Sequence, residues 1–117
     1  MGPDMARLFF SPCVAWPKGA RPANFTAPLK SPVPALLMSG ELDPVTPPSY
    51  AEQVLQGLPK GRHFVLHGQG HNVIAQGCMP KLVGQFIETG DAKALDGKCL
   101  DSIDGTPAFT GFNGWEP

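Results

Sequence analysis

No stretch of the sequence approaches the roughly 18 consecutive apolar residues that a membrane-spanning helix needs, so nothing in it reads as a transmembrane segment. Charge of one sign is also missing. Nine Lys and Arg stand against ten Asp and Glu with no basic run, and without a positive surface nucleic-acid binding is not expected. Cysteine is sparse: Cys13, Cys78 and Cys99 contain no CxxC spacing, which argues against a zinc ribbon or a thioredoxin-type site. The N-terminus is not a signal peptide, because Asp4 and Arg7 interrupt any apolar h-region. An exported protein would therefore carry its targeting segment elsewhere. No cofactor and no metal are expected.

What the sequence has in quantity is glycine and proline, 14 of each in 117 residues. That share is near the upper edge for a globular domain. Both types concentrate in the first third and at the end, so the packed part is expected between them, as one small domain or a piece of a larger one. Three regions follow: an irregular segment over 1–31, a packed portion over 32–90, and an extended tail over 91–117. In the first, Met5–Phe10 has the composition of a short helix, and Pro12, Pro17, Pro22 and Pro28 forbid a long one. Trp16–Lys30 reads as an extended connector.

The central region alternates between two periodicities. Val33–Ser39 is a short continuous apolar run closed by Gly40, as a buried parallel strand would be, with Pro34 tolerated at its start. Thr46 is a plausible N-cap and Pro47 a first helical residue. Tyr50, Ala51, Val54, Leu55 and Leu58 then form one apolar helical face, closed by Gly57 and Pro59. Arg62–His67 reads as a second strand. A second helix is predicted from about Pro80 to Thr89, with Leu82, Val83, Phe86 and Ile87 on one face and Gly90 as its stop. Strand–helix–strand–helix of this kind implies an α/β arrangement with parallel strands.

In parallel sheets, sites form at the loops that leave the carboxyl ends of the strands. Here those loops are Ser39–Pro48, which contains Asp43, and Gly68–Asn72, which contains His71. Taken alone, Asp43 would be read as the cap of an Asp-Pro turn. Its match with a histidine after the next strand changes that reading. A serine hydrolase needs an imidazole to take the hydroxyl proton and a carboxylate to hold that imidazole in the right tautomer. Asp43 and His71 suit these roles, and acid before base is the chain order of α/β-hydrolases. Gly68 and Gly70 would permit a tight backbone path that turns His71 toward the site. The nucleophile is missing: none of Ser11, Ser31, Ser39, Ser49 and Ser102 lies in a G-x-S-x-G elbow.

The segments VPALLMSGELDPVTPP, GRHFVLHGQGH and GCMPKLVGQFIETG, with a weaker hint in Cys13–Pro17, together resemble the C-terminal region of TAP-like α/β-hydrolases, the tripeptidyl-aminopeptidase and proline-iminopeptidase-related group. The resemblance covers roughly residues 33–100. It implies the C-terminal β-α-β-α portion of an α/β-hydrolase sheet, an acid at Asp43, a base at His71 and a disulfide between Cys78 and Cys99. It also implies an exported enzyme, periplasmic or extracellular, that cleaves peptides or esters. From spacing alone the cysteines stay open: Cys78 and Cys99 flank the second helix and could be bridged, or all three could be small buried hydrophobes. Cys13 would then be a free thiol or pair outside this sequence. The nucleophile, the oxyanion hole and most of a lid domain have no counterpart here.

Competing readings are few. Glu41 is a weaker alternative for the acid. His63, His67 and His71 recur every fourth residue, but the β-like run places the first two about 13 Å apart, which disfavours a metal site. Phe109, Phe112 and Trp115 read as a tail pinned to an apolar surface rather than a binding stripe. Two function classes follow. One is the acid- and base-bearing part of a serine peptidase or esterase, inactive alone and partnered by its N-terminal half. The other is a non-catalytic assembly module derived from the same fold, which would need that half or another copy of itself to cover its sheet edge.

Overall fold

The computed structural model describes residues 2–105, 107, 111, 112 and 114. Two short helices come first, α1 (Pro3–Phe10) and α2 (Pro12–Ala15). Pro3 at the first helical position and Asp4 in the first turn both favour a helix start. Pro12, which lacks an N–H, separates the two. Neither helix buries a residue, and Leu8, Phe9 and Phe10 are exposed. Residues 16–34 form no helix or strand. They run past the end of the next helix, where Ser31 N–H donates to the Gly57 carbonyl at 3.0 Å.

The central region contains β1 (Ala35–Gly40), α3 (Pro48–Leu55), β2 (Gly61–Leu66) and α4 (Met79–Thr89). The strands are parallel, in register from Ala35 opposite Gly61 to Gly40 opposite Leu66, and α3 is the crossover between them. β1 begins after Pro34 rather than at Val33, because proline has no N–H for the ladder. α3 begins at Pro48, and Thr46 does not cap it. Its hydroxyl is used elsewhere, as described below.

Leu36, Met38, Phe64 and Leu66 alternate onto one face of the sheet. There they meet Met79, Leu82, Val83 and Phe86 of α4, with Val73, Leu95 and Leu100 completing the core. Leu66 and Met79 are fully buried, each contributing on the order of 1.5–3 kcal/mol. Ile87, predicted on the inner face of α4, is exposed, because the buried stripe runs through 79, 82, 83 and 86. α3 lies against both strands, although Tyr50 and Val54 on its apolar stripe remain exposed.

The segment after Gly90 is not a loose extension up to residue 103. Ala92, Leu95 and Leu100 are buried, a 3-10 turn spans Lys98–Leu100, and Ile103 packs on the core. Two links hold it. The Arg62 guanidinium, stacked 4.7 Å above the Phe64 ring, donates to the Lys93 carbonyl, and Cys78 is disulfide-bonded to Cys99. Cys13 is free and exposed. Of the aromatic tail, Phe112 is fully exposed rather than pinned; Phe109 and Trp115 lie outside the described residues. Among the described residues no helix is long and apolar enough to cross a membrane.

Candidate active site

Parallel pairing places the carboxyl ends of β1 and β2 on the same edge, so the loops after Gly40 and Leu66 leave side by side. Backbone bonds then stitch them together. Glu41 N–H donates to the Leu66 carbonyl at 3.0 Å and Leu42 N–H to the Gln69 carbonyl at 2.9 Å. Gly40 lies directly under this seam. A Cβ there would fall inside the envelopes of the Gly70 and Gln69 carbonyl groups, so only hydrogen permits the approach. Gly68 has φ +63°, which bends the second loop back over the sheet edge. The sequence also pointed to Gly70, but a Cβ at that position would meet nothing.

Asp43 is held by four bonds. Its Oδ1 accepts the Val45 and Thr46 amides at 2.9 and 3.1 Å, a local turn favoured by the intervening Pro44. Its Oδ2 accepts the Thr46 hydroxyl at 2.7 Å and faces His71 Nδ1 at 2.8 Å. The carboxylate is buried, with 2% of its side chain exposed, whereas the His71 side chain is 63% exposed. The Thr46 hydroxyl bond holds the Asp43 carboxyl well below the usual carboxylate range. Burial opposes this, and the His71 bond and the two amides reinforce it. A proton on Nδ1 is what an ionised, acceptor-only partner requires, leaving the Nε2 lone pair available.

Thr46 Oγ1 also lies 3.2 Å from His71 Nδ1, so threonine, acid and imidazole form one cluster. Sequence reasoning assigned Thr46 to a helix cap; the Asp-x-x-Thr spacing was the available signal for this role. Glu41, the alternative acid, does not reach His71. Its Oε2 pairs with His67 Nδ1 at 2.6 Å and accepts Gly68 N–H at 2.9 Å. His63 turns to the other side of the sheet edge, where its Nε2 lies 3.0 Å from the Ser39 hydroxyl. Burial pushes its pKa below the usual 6.5, with the Glu52 charge acting against that shift. The three evenly spaced histidines thus have three different partners. Among the described residues no group of three metal-ligating side chains occurs.

A family model described as TAP-like protein matches residues 1–99. This chain belongs to the TAP-like α/β-hydrolase family. No curated protein and no solved structure matches it. The TAP-like match runs from α1 to Cys99, so it contains Asp43, Thr46, His71 and both bridged cysteines. It gives the chain a hydrolase-related origin and extends well N-terminal of the strand where the sequence resemblance was plainest.

Proposed function

We propose that this chain is the C-terminal part of a serine hydrolase acting on peptides or esters, with Asp43 as the orienting acid and His71 as the general base. The observation that carries this reading is the 2.8 Å Nδ1–Oδ2 pair between an exposed imidazole and a buried, fully hydrogen-bonded carboxylate. In this reading His71 Nε2 takes the proton of a serine hydroxyl as that oxygen attacks the acyl carbon. It then returns the proton to the leaving amine or alcohol, while Asp43 stabilises the imidazolium. The serine comes from a segment outside this sequence, since no G-x-S-x-G elbow is present in it. The sheet of this chain is then the C-terminal β-α-β-α portion of a larger one. The Cys78–Cys99 disulfide supports an exported location.

The test is to supply the nucleophile-bearing half and measure turnover of peptide and ester substrates. His71→Ala is expected to abolish triad-dependent turnover. Asp43→Asn keeps an oxygen for the two amides but presents an NH2 to Nδ1, forcing the proton to Nε2, and is expected to lower kcat by about 10⁴-fold. Near-normal turnover by either variant would sink the assignment. The isolated chain is expected neither to turn substrates over nor to react with a fluorophosphonate.

A second reading, a non-catalytic assembly module, is favoured by the exposed apolar side chains of Leu8, Phe9, Phe10, Trp16 and Phe25. The radius of gyration, 19.1 Å, also exceeds the roughly 13 Å expected of a compact chain of this length. A clean monomer by light scattering at micromolar concentration would count against it.

A further inference from the structure

The pairing of Glu41 has no place in the acid–base chemistry above, yet it joins the same two loops that carry Asp43 and His71. Glu41 is the first residue after β1 and sits two positions before Asp43. Its carboxylate takes the first two groups of the other loop, the His67 ring at 2.6 Å and the Gly68 amide at 2.9 Å. Gly68 is where that loop bends, with φ +63°, and His71 follows three residues later. The acid loop therefore grips the base loop twice with carboxylates, Glu41 at its entry and Asp43 at the imidazole. The neighbouring bonds, Glu41 N–H to Leu66 and Leu42 N–H to Gln69, are backbone contacts available to any residue at 41. The bend at Gly68 has its amide satisfied by the Glu41 side chain.

We propose that Glu41 is a positioning residue: its carboxylate fixes the bend at Gly68 and thereby holds His71 at bonding distance from Asp43. The catalytic meaning rests on the function proposed above, but the geometry belongs to this chain and is measurable in it. A glutamine at 41 keeps an oxygen acceptor for the Gly68 amide, whereas an alanine keeps none. Glu41 is partly exposed, with 45% of its side chain accessible, and it contributes nothing to the core, so both variants are expected to fold.

The experiment uses the 117-residue chain with ¹⁵N-labelled histidine and amides, comparing wild type, Glu41→Ala and Glu41→Gln by NMR. In wild type, His71 is expected as the Nδ1–H tautomer with a protected Gly68 amide. Glu41→Ala is expected to speed Gly68 exchange about tenfold, as loss of a charge-assisted bond at a half-exposed site would. It is also expected to shift His71 toward a mixture of tautomers. Glu41→Gln is expected to restore most of both. Wild-type Gly68 protection and His71 tautomer in Glu41→Ala would overturn the proposal, as would a Glu41→Gln variant no better than Glu41→Ala. The two readings fail separately. Active His71→Ala enzyme refutes the catalytic role and leaves the clamp intact, while an unperturbed Glu41→Ala chain refutes the clamp alone.

Discussion

Gly40→Ala and Gly70→Ala form a matched pair that tests how the two site loops are held together. At position 40 the new methyl would lie 2.7 Å from the Gln69 carbonyl carbon and closer still to the Gly70 carbonyl oxygen. Ordinary carbon–carbon contact is about 3.5–4.0 Å. The 67–72 loop would therefore have to retreat by roughly 1 Å, and its obstacle is backbone, which cannot rotate away like a side chain. That displacement strains the bonds from Glu41 to Leu66 and from Leu42 to Gln69, and it carries His71 away from Asp43. Overpacking of this kind typically costs 1–3 kcal/mol. At an intermediate 2 kcal/mol the urea midpoint falls by about 1 M for a slope near 2 kcal/mol/M. A methyl at position 70 meets nothing within 4 Å, so Gly70→Ala should leave the stability within about 0.5 kcal/mol of wild type, a midpoint change of no more than about 0.25 M. Urea unfolding followed by circular dichroism measures both. In an assembled enzyme, the same displacement at Gly40 should lower turnover by about 10²-fold. A Gly40→Ala protein as stable as wild type, or a Gly70→Ala protein equally damaged, would refute the close-approach account of the site.

Replacing Cys78 and Cys99 together with serine opens a loop of 21 residues and should cost about 3 kcal/mol. Urea unfolding with and without reductant checks this: wild type in reductant should approach the variant, and amide exchange should rise first around Ala92, Leu95 and Leu100. Stability should also fall on acidification in two windows. The His63 pKa is lowered by burial, so the unfolded chain binds the extra proton first, and stability present above 6.5 declines as the pH drops below that value. Asp43 is likewise depressed, so its contribution is present above its ordinary 3.8 and is lost as the pH falls below that toward its lower folded value. Urea midpoints taken from pH 8 to pH 3 check both windows, and His63→Gln should flatten the upper one alone.

The residues of the Asp43–His71 pair were legible in the sequence, because two apolar runs joined by a helical period imply parallel strands. Parallel strands put both exit loops on one edge. The helix ending at Gly90 was legible for a similarly local reason, a 3.6-residue apolar period closed by glycine. The structure shifted the ends of β1, β2 and α4 by one or two residues, with the missing proline amide as the cause at Pro34, and it ended α3 at Leu55, three residues short of the Leu58 read onto its apolar face.

Sequence by itself therefore determined the order of the central elements, the two loops that leave one edge of the sheet, and the carboxylate and imidazole those loops bring together. Each of these follows from patterns within about a dozen consecutive residues. Tertiary structure decided the rest. It gave Thr46 to Asp43 instead of to a helix cap, and it made Gly40 rather than Gly70 the indispensable glycine at the seam. It also sent His63, His67 and His71 to Ser39, Glu41 and Asp43 respectively. Those assignments depend on which residue of β1 lies opposite which residue of β2, a register set by packing between segments more than twenty residues apart. No local pattern encodes that register, and a slip of one residue would have turned every side chain of a strand to the other face of the sheet.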